Sequence, residues 1–149
     1  MQNQRIKFIL TSLILLVFSS NSALAEENIY FHPAKSAKEL YIIDKVAKKL
    51  ELSGEHMLAK TDLNNDSIDE FFMRPATCQN QQRCPITIIA LQKDAPIIIG
   101  QLEAVRVIIS DDNTYGIRDL LVAETRINDF KQTKYQWNPH SYTYKNTDK

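Results

Sequence analysis

From Glu55 onward the sequence is a succession of short apolar runs, each closed by a polar, Gly-containing or Pro-containing turn. Eight segments have the β-branched and aromatic enrichment of strands: His56–Lys60, Glu70–Met73, Pro85–Leu91, Pro96–Leu102, Ala104–Ser110, Ile117–Glu124, Thr133–Trp137 and Ser141–Lys145. Ile97-Ile98-Ile99 does not alternate, so its strand is expected to be covered on both faces, one of them by a helix. Only one segment has helical periodicity. Ser36 and Glu39 form a capping box, and Leu40, Ile43, Ala47 and Leu50 then recur on one stripe, which predicts a helix from about Ala37 to Leu52. Lys48 and Lys49 suit the negative end of that helix, and Ser53-Gly54 is its expected stop. One helix followed by consecutive strands predicts an α+β fold, with one amphipathic helix packed on a mostly antiparallel sheet of about six to eight short strands. Glu26 to Pro33 reads as irregular or as a short edge strand, and Ser110 to Gly116 as a second polar turn.

The first 25 residues have a different character. Arg5 and Lys7 precede an apolar run from Phe8 to Phe18, and Ala23-Leu24-Ala25 has the small-residue pattern of a cleavage site. Residues 1–25 therefore read as a cleaved signal peptide and 26–149 as a single α+β domain, periplasmic or secreted. The apolar run is shorter than the roughly 20 residues of a spanning helix, so no stable membrane insertion is expected after cleavage.

Charge excludes one class of partner. The chain carries 18 Lys and Arg against 18 Asp and Glu. Loss of Arg5 and Lys7 would leave a net charge of about −2, without the basic excess that nucleic-acid binding needs. Lys45, Lys48 and Lys49 are expected to be the solvated face of the helix. Cys78 and Cys84, the two cysteines of the chain, are expected to form a disulfide in an oxidising compartment.

Chemistry concentrates in Asp62-Leu63-Asn64-Asn65-Asp66-Ser67-Ile68-Asp69-Glu70. Side-chain oxygens fall at the first, third, fifth and ninth positions, on Asp62, Asn64, Asp66 and Glu70, and Ile68 offers a backbone carbonyl at the seventh. Such alternation wraps a chain around a hard cation, and Ca²⁺ takes six to eight oxygens. The competing reading is a plain turn, because Asp, Asn and Ser favour turns by bonding their own backbone. The stretch resembles the D-x-[DN]-x-D-G-x-x-[DE] calcium loops of FG-GAP and VCBS-type repeats, found also in exported bacterial single-domain proteins. Gly116-x-x-Asp119-Leu120 and the Tyr135-x-Trp137 and Tyr142 pattern resemble downstream parts of such proteins. The resemblance implies a structural Ca²⁺ site. One position departs from it: Ser67 stands where the pattern has Gly, and a residue with a Cβ there costs about 1 kcal/mol or more.

Other chemistry is thinly represented. His32, His56 and His140 lack metal-ligand spacing, and no G-x-S-x-G elbow is present. Asp69, Glu103, Asp119 and Glu124 would serve a small glycan hydrolase only if they converged in space. Tyr135, Trp137, Tyr142 and Tyr144 would form a stacking platform for sugars if exposed and a core cluster if buried. The expected function is that of an exported, non-enzymatic binding or accessory protein whose partner is an envelope protein or a glycan.

Overall fold

The computed structural model describes residues 26–79, 82–125 and 131–147; the expected signal peptide lies outside the described residues. The chain is broadly α+β, but its strands form two antiparallel five-stranded sheets rather than one. In chain order the elements are β1 (Glu27–Asn28), β2 (His32–Pro33), α1 (Ala37–Lys49), β3 (His56–Thr61), β4 (Glu70–Pro75) and β5 (Cys84–Gln92). They continue with β6 (Ala95–Ala104), β7 (Arg106–Thr114), β8 (Ile117–Ala123), β9 (Gln132–Asn138) and β10 (Thr143–Asn146). The first sheet has the order β2-β3-β4-β5-β6 and the second β1-β7-β8-β9-β10. Eight of the ten strands correspond to the apolar runs. The two additional strands are two-residue pairings of the Glu26–Pro33 segment, one to each sheet, and carry no periodicity of their own.

The two-sheet arrangement follows from how the strands bury side chains. Along β4, Phe72 enters a core shared by both sheets, with Ile88, Ile109, Leu120 and Val122. Its neighbours Phe71 and Met73 point to the opposite face, where Ile42 and Val46 of α1 meet Leu58 and Ile89. The first sheet is thus covered on both sides, by the helix and by the second sheet. Each large apolar side chain enclosed this way contributes on the order of 1.5–3 kcal/mol.

Between β6 and β7 the chain passes from one sheet to the other through the single residue Val105, whose N–H donates to the Ala123 carbonyl at 2.8 Å. A β-bulge prepares that corner. Ile88 pairs with Gly100 and Ile89 with Ile98, leaving Ile99 as the extra residue. The shift lets Ile97 and the bulged Ile99, and Leu102 and Ala104 beyond it, all face the inter-sheet core. Gly100 keeps contact close there, since an added Cβ would stand 3.0 Å from Ile88 Cδ1 and that side chain would have to give way.

Four local expectations are corrected. The helical stripe is rotated: Ile42 and Val46 are buried, whereas Leu40 is 60% exposed. The helix ends at Lys49, before Ser53-Gly54, because Glu51 adopts φ 53°. There the Leu52 N–H reaches the Ala47 carbonyl at 2.8 Å and the Glu51 N–H the Lys48 carbonyl at 3.4 Å, a Schellman closure. At the N-terminus Ser36 Oγ accepts from the Glu39 N–H as expected, but the Glu39 carboxylate accepts from the Lys35 N–H instead of the cap residue. Finally, Asp111 to Thr114 extend β7, and the reversal is the two-residue Tyr115-Gly116 turn, with φ 55° and 79°.

Cys78 and Cys84 are bonded, with Cα atoms 6.0 Å apart, closing the β4–β5 connection beside the buried start of β5. Replacing both by Ser is expected to lower unfolding free energy by about 2 kcal/mol. Urea denaturation of the variant against the oxidised protein measures this, and equal midpoints would contradict it.

Candidate functional site

The acidic loop joins β3 to β4 and is organised by Asp62. Its Oδ1 accepts from the N–H groups of Asn64 and Asp66, each at 3.2 Å, and its Oδ2 from the Ser67 N–H at 2.7 Å. Asn64 Oδ1 accepts from the Asp66 N–H at 3.1 Å, and Asp66 Oδ1 from the Ile68 N–H at 2.7 Å. Two residues adopt the left-handed region, Asn65 at φ 61° and Ser67 at φ 68°. Ser67 therefore takes the left-handed backbone conformation that glycine adopts most readily.

Glu70 sits behind this turn, only 6% exposed, and its Oε2 accepts from the Leu63 N–H at 2.8 Å. Burial pushes its pKa up to about 7; the Leu63 amide opposes the rise, and the Asp66 and Asp62 charges add to it. Leu63 is itself buried in the inter-sheet core, and its carbonyl accepts from the Arg118 N–H of β8 at 2.8 Å. The loop thus ties one sheet to the other.

The donors are right in kind for a hard cation: three carboxylates, one amide oxygen and one main-chain carbonyl. Asp62, Asn64 and Asp66 are wound around one turn, and Glu70 lies close enough to feel both acids. Their oxygens are engaged by backbone amides, and among the described residues no three of His, Cys, Asp and Glu are grouped as a metal site.

The aromatic residues do not share one exposed face. Tyr144 is buried and its hydroxyl donates to the Arg118 carbonyl at 2.8 Å, while Tyr135 and Trp137 pack against the inter-sheet core. Tyr142 is 72% exposed, in the turn before β10. Trp137 meets Tyr142 and Tyr144 edge-on, with centroids 6.4 and 5.9 Å away. Trp137 and Tyr142, together with Asn64 and Glu70 of the acidic loop, line an apolar depression of about 190 Å³.

The other acids are dispersed. Glu103 and Glu124 meet across Arg83, at 3.0 and 3.7 Å, and Asp69 pairs with Lys60 at 3.2 Å. Asp119 is buried on the outer face of the second sheet, under Lys134 and Gln136, each 3.0 Å from Oδ2. His32 contacts the Pro33 carbonyl, His56 is buried in β3 and His140 is exposed in the β9–β10 turn. Lys45 lies over the Tyr41 ring on the solvent side of α1, and Lys48 and Lys49 are exposed.

Sequence reasoning missed Arg118. Its Nε donates to the Ser110 carbonyl at 2.8 Å and its Nη1 reaches Glu27 at 3.4 Å, so a buried cation ties β7, β8 and β1. A cation in a mainly apolar strand was the available signal. It missed Arg74 too, which ends the Phe71-Phe72-Met73 run and lines a cavity at the other end of the molecule. Comparison with family models, curated proteins and solved structures found no match.

The raised pKa of Glu70 has a definite sign in stability. The folded state holds the Glu70 proton more tightly than the unfolded chain, so this contribution is complete below about pH 4.5 and is lost as pH rises through about 7. After allowing for solvent at the open side of the loop, the effect is on the order of 2 kcal/mol. Glu70→Gln, which keeps an acceptor for the Leu63 N–H, is expected to flatten that decline. Urea unfolding at pH 4.5, 6 and 7.5 in chelator measures the slope, and an identical slope in the variant would refute the assignment.

Proposed function

We propose that the chain is an exported, non-enzymatic accessory protein of a bacterial-type envelope that acts by binding, and that its β3–β4 loop holds Ca²⁺ as a structural clasp. The observation that carries this reading is the position of Leu63, inside the acidic loop yet buried between the sheets and bonded to Arg118 of the opposite one. An ion at such a place acts on the junction of the sheets. Asp62, Asn64, Asp66, the Ile68 carbonyl and Glu70 are the groups that would hold it. When bound it would supply positive charge among three carboxylates and fix the turn that Ser67 now holds in a strained conformation.

Export is supported by the character of residues 1–25 and by the Cys78–Cys84 disulfide. Among the described residues no helix is long and apolar enough to cross a membrane. A binding role is favoured over hydrolysis because Asp69, the Glu103 and Glu124 pair, and Asp119 lie in separate places with separate cationic partners.

At millimolar Ca²⁺ and a Kd on the order of 0.1 mM, the gain in stability would be about 1.4 kcal/mol, a rise in Tm of about 3–6 °C. Asp66→Ala is expected to abolish the calcium-dependent part. Thermal melts in Ca²⁺ and in chelator decide the matter: coincident melts for the unaltered protein would remove the clasp.

A second reading rests on the depression between Trp137, Tyr142, Asn64 and Glu70, whose apolar walls and polar edge suit one sugar ring. In that case a glycan-array signal is expected and is lost in Tyr142→Ala, which removes an exposed ring without opening the core. An array without signal, or one indifferent to Tyr142→Ala, would eliminate it.

A further inference from the structure

At the end of the sandwich opposite the acidic loop, Ile29–Phe31 crosses from the second sheet, where Asn28 pairs with Ile108, to the first, where His32 pairs with Leu58. Beside this crossing lies a cavity of about 580 Å³, within the size range of small-molecule sites. Ile29, Ile86 and Val107 give it apolar walls. Arg74 and Arg106 also line it, and among the described residues no acidic one does.

Arg74 is the informative residue. Strand alternation places it on the inter-sheet side of β4, like Phe72, and its guanidinium lies over the Phe31 ring, 4.3 Å from the centroid. Its Nε is buried and has no hydrogen-bond partner among the described residues. No carboxylate among the described residues forms an ion pair with Arg74, whose pKa is lowered by burial. Arginine nevertheless stays protonated, so burial leaves a cation whose Nε–H is unmet rather than a neutral group. A ligand that brings acceptors to this place recovers that cost. The planar fork of the guanidinium matches a carboxylate, and the single inner cation calls for a single negative charge.

We infer that this cavity binds a small amphiphilic carboxylate, its head on the Arg74 guanidinium and its apolar body along Ile29, Ile86 and Val107. Arg106, exposed at the rim, draws the anion in. The site is independent of the calcium loop and of the aromatic depression, both at the far end of the β3–β4 hairpin.

Isothermal titration of the purified protein with octanoate, octanol and acetate tests head and tail separately. Octanoate is expected to bind, octanol at least about tenfold more weakly, and acetate not measurably. Arg74→Met is expected to weaken octanoate about tenfold or more, to the level of octanol, while leaving octanol binding and the Tm of the free protein undiminished. Arg106→Glu, at an exposed position on which folding does not depend, is expected to weaken octanoate several-fold without touching octanol. Absence of octanoate binding, equal affinity for octanoate and octanol, or an octanoate affinity unchanged in either variant would overturn the assignment.

Discussion

Two adjacent phenylalanines, Phe71 and Phe72, are both buried although a strand sends them to opposite faces. A sheet with that property cannot lie on solvent, and the rest of the architecture meets the requirement. The helix covers one face through Ile42 and Val46, and the second sheet covers the other through Ile109, Leu120 and Val122. The bulge at Ile99 and the single-residue crossing at Val105 let one continuous stretch of chain line the same core from both sheets.

Much of this was legible in the residues. Ile97-Ile98-Ile99 announced a strand buried on both faces, the Ser36 cap located the start of the helix to the residue, and eight strands were marked by their apolar runs. What escaped has a common physical origin, which is non-local pairing. Glu27–Asn28 and His32–Pro33 are strands only because distant edges accept them. Leu40 lies off the helix stripe because the side of α1 that meets the sheet is centred on Ile42 and Val46. The second sheet was not visible because alternation reports which residues face inward, not which neighbour they face.

The acidic loop was legible in composition and in its one irregularity. Ser67 was marked as standing in a glycine position, and its backbone takes that conformation. The burial of Leu63 and its bond to Arg118 were not legible, because they join residues 55 positions apart in sequence. Arg74 and Arg118 illustrate the same limit from the polar side. Each is a cation in or beside an apolar run, yet Arg118 is met by main-chain and carboxylate oxygens, whereas the buried Nε of Arg74 has no partner among the described residues.

The segment Glu27–Pro33 contributes one short strand to the edge of each sheet and spans the gap between them. It leaves the ribosome before any of its partners, yet Asn28 cannot find its place until Ile108 has been made and positioned. Its pairing therefore belongs to the late, slow part of folding, where loop closure between distant residues sets the rate. Under the export proposed above, the β1–β7 pairing would form only once β7 too had crossed the membrane, after the nearer β2–β3 pairing was already possible.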